Sequence, residues 1–311
     1  MTVPVSIVVH ARNEATNIPF TLASVIGWAD EVFVVDSDSV DGTGDVAQKL
    51  GATVISRHCE RRGLVTQRNW ALDTLPFRNE WVFVLDADEY MEDALKAEVA
   101  RLVLTNDPEK DGYWLRFRLI FMGKWIRRSS MYPSWSLRLF RHKVVRYEVR
   151  SVNSHPRVAP GREGFLEGHV VNYDRKGFAF YLQRLDEFST LEAIAYEEVL
   201  SGNISRTQVP GKLFGTRAER RRWLKNLFIR LPMRPLVVFT YLYVVRGGLL
   251  EGRAGFDYCF MKSIQEWMVN VKRREVELRR SNRDQWLPPE LADSAPAAVK
   301  RSQSASLTTG R

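Results

Sequence analysis

Hydrophobic strands alternate with helical segments through the first hundred residues, and this alternation restricts the fold of the 311-residue chain more than any other feature. Runs rich in β-branched and aromatic residues at 3–11, 31–36, 52–56 and 80–86 predict strands buried on both faces. Segments with apolar residues at helical spacing lie between these runs. Repeated βα units build a mostly parallel sheet with helices on both faces, so we predict an α/β, Rossmann-like fold.

Acidic residues follow two of these predicted strands. Asp36 and Asp86 each end a strand, and Asp88 follows in the segment VFVLDADE. Ligands of open α/β sheets bind at the carboxyl ends of strands, and side chains two apart on an extended chain face the same way. Two neighbouring carboxylates repel unless a cation neutralises them, and hard oxygen ligands select Mg²⁺ or Mn²⁺. We therefore predict a metal site at Asp86 and Asp88, with an acidic helix-capping loop as the alternative.

Further polar residues at this edge predict a nucleotide site. The turn VVDSDSVDGT (34–43) is typical of a loop that binds a nucleoside, although a plain βα loop is the alternative. The candidate nucleotide-binding residues are Arg12, Glu14, Asp36, Asp38, Arg68 and Asp86, with Arg61, Arg62 and Gln67 beside Arg68. The sequence contains neither GxGxxG nor GxxxxGK[ST], so dinucleotide and P-loop chemistry are not indicated.

Taken in order, the motifs resemble those of family 2 glycosyltransferases, whose catalytic domain has the GT-A fold. The resemblance covers roughly residues 3–275 and is strongest to the branch that is similar to lipopolysaccharide-core glucosyltransferases. The segments that carry it are SIVVHARNEATNI, ADEVFVVDSDSVDGT, AQKLGA, QRNWAL, WVFVLDADE, YPSWSLRLFR, RYE and RGGLLEGRAGF.

This resemblance implies a metal-dependent, inverting hexosyl transfer from a nucleotide-diphosphate sugar, usually a UDP-hexose such as UDP-glucose. The acceptor would be a hydroxyl of the lipopolysaccharide core or of another cell-envelope glycan. By position, Asp36 would contact the nucleoside with Glu14 nearby, while Asp86 and Asp88 would hold the ribose and the metal–diphosphate. A divalent cation would stabilise the charge of the leaving diphosphate.

Inverting transfer needs one base for the acceptor hydroxyl, and the sequence leaves this base open. In relatives, carboxylates often follow the YP motif and a downstream histidine, whereas this chain has Ser134 and Pro156 there. Glu148 is the first candidate base, His155 is the second, and Asp174 is a further alternative.

Charge is segregated along the chain, which has a net charge of +9. Residues 1–110 carry −8 and residues 201–311 carry +12, so an acidic front half argues against a nucleic-acid partner. The apolar run 236–245 is shorter than the roughly 20 residues that a spanning helix needs. Its basic, aromatic flanks favour binding to an anionic membrane surface, and a helical cap buried on the catalytic domain is the alternative.

These patterns predict four segments. Residues 1–110 form the nucleotide-sugar half of the GT-A domain and residues 111–205 its acceptor-side half. Residues 206–286 form a basic, membrane-associated helical region, and residues 287–311 a disordered tail. The chain shows no signal-peptide pattern and has two cysteines, which predicts a cytoplasmic protein on the inner face of the cell membrane.

Two other functions remain open at this point. One is a glycosyltransferase that uses a polyprenyl phosphate or an exopolysaccharide intermediate as its acceptor. The other is a non-catalytic protein with a degenerate α/β domain that binds membrane or nucleic acid. The presence of Asp36, Asp86 and Asp88 together argues against the second alternative.

Overall fold

A computed structural model describes residues 2–58, 64–148, 156–200, 231 and 233–280. Its centre is a nine-stranded mixed sheet. One half of the sheet is parallel, in the order β3, β2, β1, β4. The strands and helices of this half are β1 (Val3–Ala11), α1 (Ile18–Ala23), β2 (Ala29–Asp36), α2 (Thr43–Lys49), β3 (Thr53–Ser56), α3 (Leu64–Thr74) and β4 (Trp81–Asp86).

The sheet continues beyond β4 in the order β8, β6, β11, β5, with β7 paired to β6. β8 is antiparallel to β4 and to β6, whereas β6 and β11 are parallel. The elements are β5 (Glu89–Met91), α4 (Asp93–Thr105), β6 (Gly112–Phe121), β7 (Lys124–Ile126), β8 (Trp135–Arg141) and β11 (Glu163–Asn172). A separate two-stranded ribbon joins β9 (Arg146–Tyr147) to β10 (Pro156–Arg157).

Apolar clusters cover both faces of the sheet. On one face, Ile18 and Leu22 of α1 and Leu95 of α4 are fully buried against β1 and β4. On the other face, Ala71 and Leu72 of α3 pack against alternate residues of the same strands. The predicted α/β fold with a mostly parallel sheet and helices on both faces is therefore confirmed. The alternating residues of the segment SLRLFR (136–141) predict a half-exposed strand. This prediction is wrong: residues 137–141 are all buried, because β8 lies between β4 and β6.

Strand register explains why the acidic strand ends meet. β1 lies between β2 and β4, with Ala11 opposite Asp36 and His10 opposite Asp86. The three strands run in the same direction, so both aspartates reach the same edge of the sheet. Their convergence follows from the parallel pairing of β1 with both neighbours.

The carboxyl-terminal helices pack on the part of the sheet that contains β6 and β7. They comprise α5 (Gly177–Leu200), α6 (Arg234–Thr240), a π-helical turn (Tyr241–Val245), a 3₁₀ turn (Gly248–Glu251) and α7 (Gly252–Arg280). Tyr258 of α7 lies edge-on to Phe121 of β6. Within the described ranges, no helix is both long enough and apolar enough to span a bilayer. Residues 206–230 and the tail at 287–311 lie outside the described residues.

Glu251 joins these helices to the loop after β7. Its buried carboxylate accepts hydrogen bonds from the backbone N–H groups of Arg127 (2.5 Å), Arg128 (2.7 Å) and Ser129 (3.1 Å), and from the Ser129 hydroxyl (2.5 Å). Burial alone would raise the pKa of Glu251, but the Ser129 hydroxyl and these N–H groups lower it below its usual range.

Replacing Glu251 by Gln should therefore destabilise the protein. An amide presents N–H groups to donors, so the free energy of unfolding should fall by about 2 kcal/mol in urea titrations. Folding lowers the pKa of the Glu251 carboxylate, so this group stabilises the folded protein fully at pH values above its pKa in the unfolded state. The stabilisation is lost as the pH falls through the pKa of the folded state. Glu167→Gln, at a largely exposed carboxylate, is the control and should change the free energy by less than about 0.5 kcal/mol. Equal stability of Glu251→Gln and the parent would contradict this role.

Candidate functional site

The loop after β2 builds one side of a polar cavity at the carboxyl edge. Asp36 is buried, and its Oδ1 accepts hydrogen bonds from the N–H (3.3 Å) and the hydroxyl of Ser39. A Cβ added at Gly44 would lie 3.1 Å from Asp36 Oδ2, so a glycine allows α2 to begin close to this carboxylate. A cavity of about 580 Å³ opens beside it. Its lining includes Asp36, Ser39, Gly42, Gly44, Asp45, Gln48 and Thr53.

Glu14 lies at the same edge, between β1 and the start of α5. Its carboxylate accepts hydrogen bonds from Lys176 Nζ (2.6 Å) and Asn17 Nδ2 (2.8 Å). Burial raises the pKa of Glu14 even though both donors act against this shift. Two other predicted nucleotide-binding residues are more exposed: Arg12 faces solvent, and Asp38 pairs with His58 Nδ1 at 2.6 Å.

Asp86 is held by two arginines. Its Oδ1 accepts a hydrogen bond from Arg68 Nη2 (2.8 Å), and its Oδ2 accepts one from Arg138 Nη2 (2.9 Å). The same Arg138 nitrogen donates to Glu89 Oε1 (2.8 Å), and Glu89 Oε2 accepts the N–H of Asp86 (2.9 Å). Burial opposes ionisation of Asp86, yet the charges of Arg138 and Arg68 hold its pKa well below its usual range. Burial and the charges of Asp86 and Asp88 raise the pKa of Glu89 despite Arg138.

His10 contributes no charge to this network. It lies opposite Asp86 on β1, and burial together with the charge of Arg68 lowers its pKa to about 3. His10 is therefore neutral near pH 7. Its Nδ1 has no hydrogen-bond partner among the residues that the structure describes.

Asp88 has a different environment from Asp86. It is buried, and its Oδ2 accepts a hydrogen bond from Arg184 Nη1 of α5 at 3.1 Å. The same nitrogen donates to Asp174 Oδ2 at 3.2 Å, so one guanidinium bridges the two carboxylates. Burial raises the pKa of Asp88, although Arg184 counteracts this. Asp174 is also fixed by Asn17 Nδ2 (2.9 Å) and by the backbone N–H of Lys176 (3.0 Å).

The carboxylate oxygens at this edge are suitable ligands for a divalent cation that binds together with a nucleotide. Mg²⁺ at such sites is held by one or two carboxylates plus substrate phosphates. Asp88 suits this role because its carboxylate lies at the sheet edge, whereas both oxygens of Asp86 already accept from arginines. Within the described part of the chain, no group of three or more His, Cys, Asp or Glu residues is placed to hold a metal ion. The predicted metal role of Asp86 and Asp88 stays a prediction.

The three candidate bases have different positions. Glu148 follows β9 and forms an ion pair with Arg157. His155 lies outside the described residues, as do Arg61 and Arg62. Asp174 shares Arg184 with Asp88 and so belongs to the site itself.

Sequence reasoning missed four residues that shape the site. They are Asn17, Glu89, Arg138 and Arg184. Arg138 had a detectable signal, since an arginine between leucines in SLRLFR is unusual for a strand that is buried. Nothing in the local sequence marks Arg184, which reaches Asp88 across 96 residues.

Comparison with known protein families identifies the family of this chain. A model of the family described as glycosyl transferase family 2 matches residues 6–162, which is half of the chain. The chain belongs to glycosyl transferase family 2. The predicted family membership is thereby confirmed, and the described sheet has the GT-A-like arrangement that this family implies.

Two relatives illustrate the similarity of sequence. An uncharacterized glycosyltransferase of Rickettsia bellii is 34% identical over 156 residues, which cover 50% of this chain and 51% of that protein. The lipopolysaccharide core biosynthesis glycosyltransferase LpsC of Rhizobium meliloti is 26% identical over 268 residues, covering 83% of this chain and 90% of LpsC. The chain spans about half the length of the Rickettsia relatives that it matches.

Two solved structures are similar at lower identity. Residues 1–349 of S. aureus TarS in complex with UDP-GlcNAc are 17% identical, with a TM-score of 0.42, and the match covers 86% of this chain and 91% of that TarS chain. Glucosyl-3-phosphoglycerate synthase from Mycobacterium tuberculosis, in complex with Mn²⁺, UDP-glucose and phosphoglyceric acid, is 23% identical with a TM-score of 0.31. That match covers 38% of this chain and 44% of the synthase.

Proposed function

We propose that this glycosyltransferase moves a hexose, with inversion, from a UDP-sugar such as UDP-glucose to a hydroxyl of a lipopolysaccharide-core or other cell-envelope glycan. The observation that carries the proposal is that Asp36 and Asp86 end the two strands that flank β1, at one sheet edge, with Asp88 two residues beyond Asp86. Asp36 also lines a polar cavity of about 580 Å³. The similarity to LpsC over most of the chain supports the acceptor class. A polyprenyl phosphate or an exopolysaccharide intermediate remains the second acceptor class.

Each residue of the site has a distinct part in the proposed reaction. Asp36 would bind the nucleoside, with Glu14 nearby and Arg68 beside the diphosphate. Asp88 would hold a Mg²⁺ or Mn²⁺ ion, which when bound supplies positive charge to the leaving diphosphate. Asp86 is fixed by Arg68 and Arg138 and would orient the ribose and the diphosphate rather than exchange its partners.

The metal-binding role predicts different kinetic defects at the two ends of the site. Asp88→Asn should lower kcat by about a hundredfold or more, because the leaving group loses its charge stabilisation. Asp36→Ala should instead raise the KM for the UDP-sugar. The measurement is release of the nucleoside diphosphate in Mn²⁺, as UDP from UDP-glucose, UDP-galactose and UDP-N-acetylglucosamine and as GDP from GDP-mannose. Wild-type turnover by Asp88→Asn would contradict the metal role, and hydrolysis of none of these donors by the parent would contradict the function.

For the base, we propose Asp174 in preference to Glu148 and His155. Asp174 is supported by its shared contact with Arg184 beside Asp88, whereas Glu148 pairs with Arg157. Burial would raise the pKa of Asp174, but hydrogen bonds from Asn17 and Lys176 N–H lower it below its usual value. The carboxylate is therefore ionised at neutral pH and able to accept a proton.

Asp174→Asn should accordingly lower kcat by about a hundredfold while UDP binding is retained, as measured by calorimetry. Glu148→Gln is the matched variant and should keep at least about half of the parental kcat. A larger loss in Glu148→Gln than in Asp174→Asn would return the role of base to Glu148.

We further propose that the protein works at an anionic membrane surface on the inner face of the cell membrane. Many exposed apolar side chains lie in one short stretch of chain, from Met233 at the start of α6 to the 3₁₀ turn. They include Met233 (66% exposed), Leu236 (56%), Val244 (56%), Val245 (70%) and Leu250 (63%). Exposed apolar groups of this density mark interaction surfaces, and the charge of +12 over residues 201–311 favours anionic lipid.

The combined variant Leu236→Ser, Val244→Ser, Val245→Ser and Leu250→Ser should lose sedimentation with phosphatidylglycerol vesicles. The parent should sediment with these vesicles but not with phosphatidylcholine, and less at high salt, because the attraction is screened. Leu104→Ser with Val144→Ser removes exposed apolar groups elsewhere and is the control. Sedimentation of the fourfold variant at the parental level would contradict this surface. Parental binding that ignores lipid charge and salt would contradict the electrostatic attraction.

A further inference from the structure

The ion pairs of the donor site differ in how firmly they are held. Arg138 is 10% exposed and donates from one nitrogen to two carboxylate oxygens at 2.8 and 2.9 Å. Arg184 is 39% exposed and shares one nitrogen between Asp88 and Asp174 at 3.1 and 3.2 Å. Charge-assisted hydrogen bonds usually measure about 2.7–2.9 Å, so the Arg184 contacts are longer than the strongest pairs. Arg184 is the more exposed of the two arginines and makes the longer contacts, so its ion pairs cost less free energy to break than those of Arg138.

The two carboxylates that Arg184 contacts, Asp88 and Asp174, are held in different ways. Asp174 is held independently by Asn17 and by the Lys176 backbone, so it keeps its position when Arg184 moves. Asp88 is buried, and its carboxylate pairs with Arg184. A buried carboxylate without a cation is costly. Any group that replaces Arg184 at Asp88 must therefore bring positive charge.

We propose that Arg184 is a displaceable counterion, which neutralises Asp88 while the donor site is empty and yields it to the divalent cation that arrives with the donor diphosphate. This inference rests on the proposed function, since it concerns how the same site accepts its metal and nucleotide. The cation and the guanidinium compete for Asp88 because both carry positive charge to one carboxylate. The released guanidinium, tethered near Asp174, then pairs with the diphosphate, whose negative charge enters together with the metal.

This role of Arg184 predicts that Mn²⁺ affinity is low without nucleotide and higher with it. Without nucleotide, a metal ion must displace Arg184 and gains no phosphate ligands, so Mn²⁺ alone should bind weakly. With UDP present, the released guanidinium gains a phosphate partner, so UDP should tighten Mn²⁺ binding and Mn²⁺ should tighten UDP binding by the same factor. Arg184 thus couples the metal to the nucleotide.

The test measures Mn²⁺ affinity from the electron paramagnetic resonance signal of unbound Mn²⁺, with and without UDP, on the full chain. In Arg184→Gln, the affinity for Mn²⁺ alone should rise about fivefold, because a partly exposed ion pair of about 1 kcal/mol no longer competes. The factor by which UDP tightens Mn²⁺ binding should fall. A residue that only stabilised the fold would weaken both affinities when replaced.

Arg175→Gln is the matched control. Arg175 lies nine residues before Arg184 in the same region and has the same charge, but it stacks on Phe20 (3.8 Å) and Tyr173 (4.3 Å). Its replacement should change Mn²⁺ affinity by less than about twofold. An equal rise in Arg175→Gln and Arg184→Gln would show a general electrostatic effect and overturn the specific role of Arg184.

Arg184→Lys keeps the charge but cannot bridge both carboxylates in the same way, so its affinity for Mn²⁺ alone should lie between those of the parent and Arg184→Gln. This variant decides the question if Arg184→Gln does not fold. Unchanged or weaker Mn²⁺ binding in the folded variants would overturn the displacement. Failure of the parent to bind UDP with Mn²⁺ would instead contradict the proposed function, so the two failures are distinguishable.

Discussion

The candidate site depends on the ion pairs that Arg138 forms with Asp86 and Glu89. Asp86 ends β4 and Glu89 begins β5 three residues later, and both are buried or partly buried, so their charges would repel without a cation. Arg138 comes from β8, the strand that joins the parallel half of the sheet to β6 and the strands beyond it. The same guanidinium that neutralises the strand end therefore holds together the two halves of the sheet at the site. Truncating one partner of such a network leaves an uncompensated charge in a buried place.

Because Asp86 is fixed in this way, the two aspartates of the DxD sequence cannot be equivalent. Both carboxylate oxygens of Asp86 accept hydrogen bonds from arginines. Asp88 instead makes a longer contact with the more exposed guanidinium of Arg184. In the proposed reaction the two carboxylates would have different parts. The fixed carboxylate would preserve the geometry of the strand end, and the exchangeable one would accept a cation without rebuilding it. The sequence of this segment, with one alanine between the two aspartates, gives no sign of this difference.

Sequence reasoning succeeded where the relevant physics is local. Strand periodicity predicted β1, β2 and β4, and parallel pairing then placed Asp36 and Asp86 at one edge. It failed for contacts made across long separations: Arg138 reaches Asp86 across 52 residues, and Arg184 reaches Asp88 across 96. The same reason explains β8, whose alternating pattern suggested a half-exposed strand. Its burial follows from insertion between β4 and β6, which no local pattern encodes.

The carboxyl-terminal helices extend this dependence to the proposed membrane surface. Glu251 lies at the end of the exposed apolar stretch and binds the loop after β7, and Lys124 Nζ of β7 donates to its backbone carbonyl at 2.7 Å. The apolar stretch is therefore tied to β7 and, through it, to β6. α7 follows this stretch directly and packs on α5, where Gln265 of α7 donates to Glu192 at 3.0 Å. The proposed membrane surface is thus connected through α7 to the helix that carries Arg184.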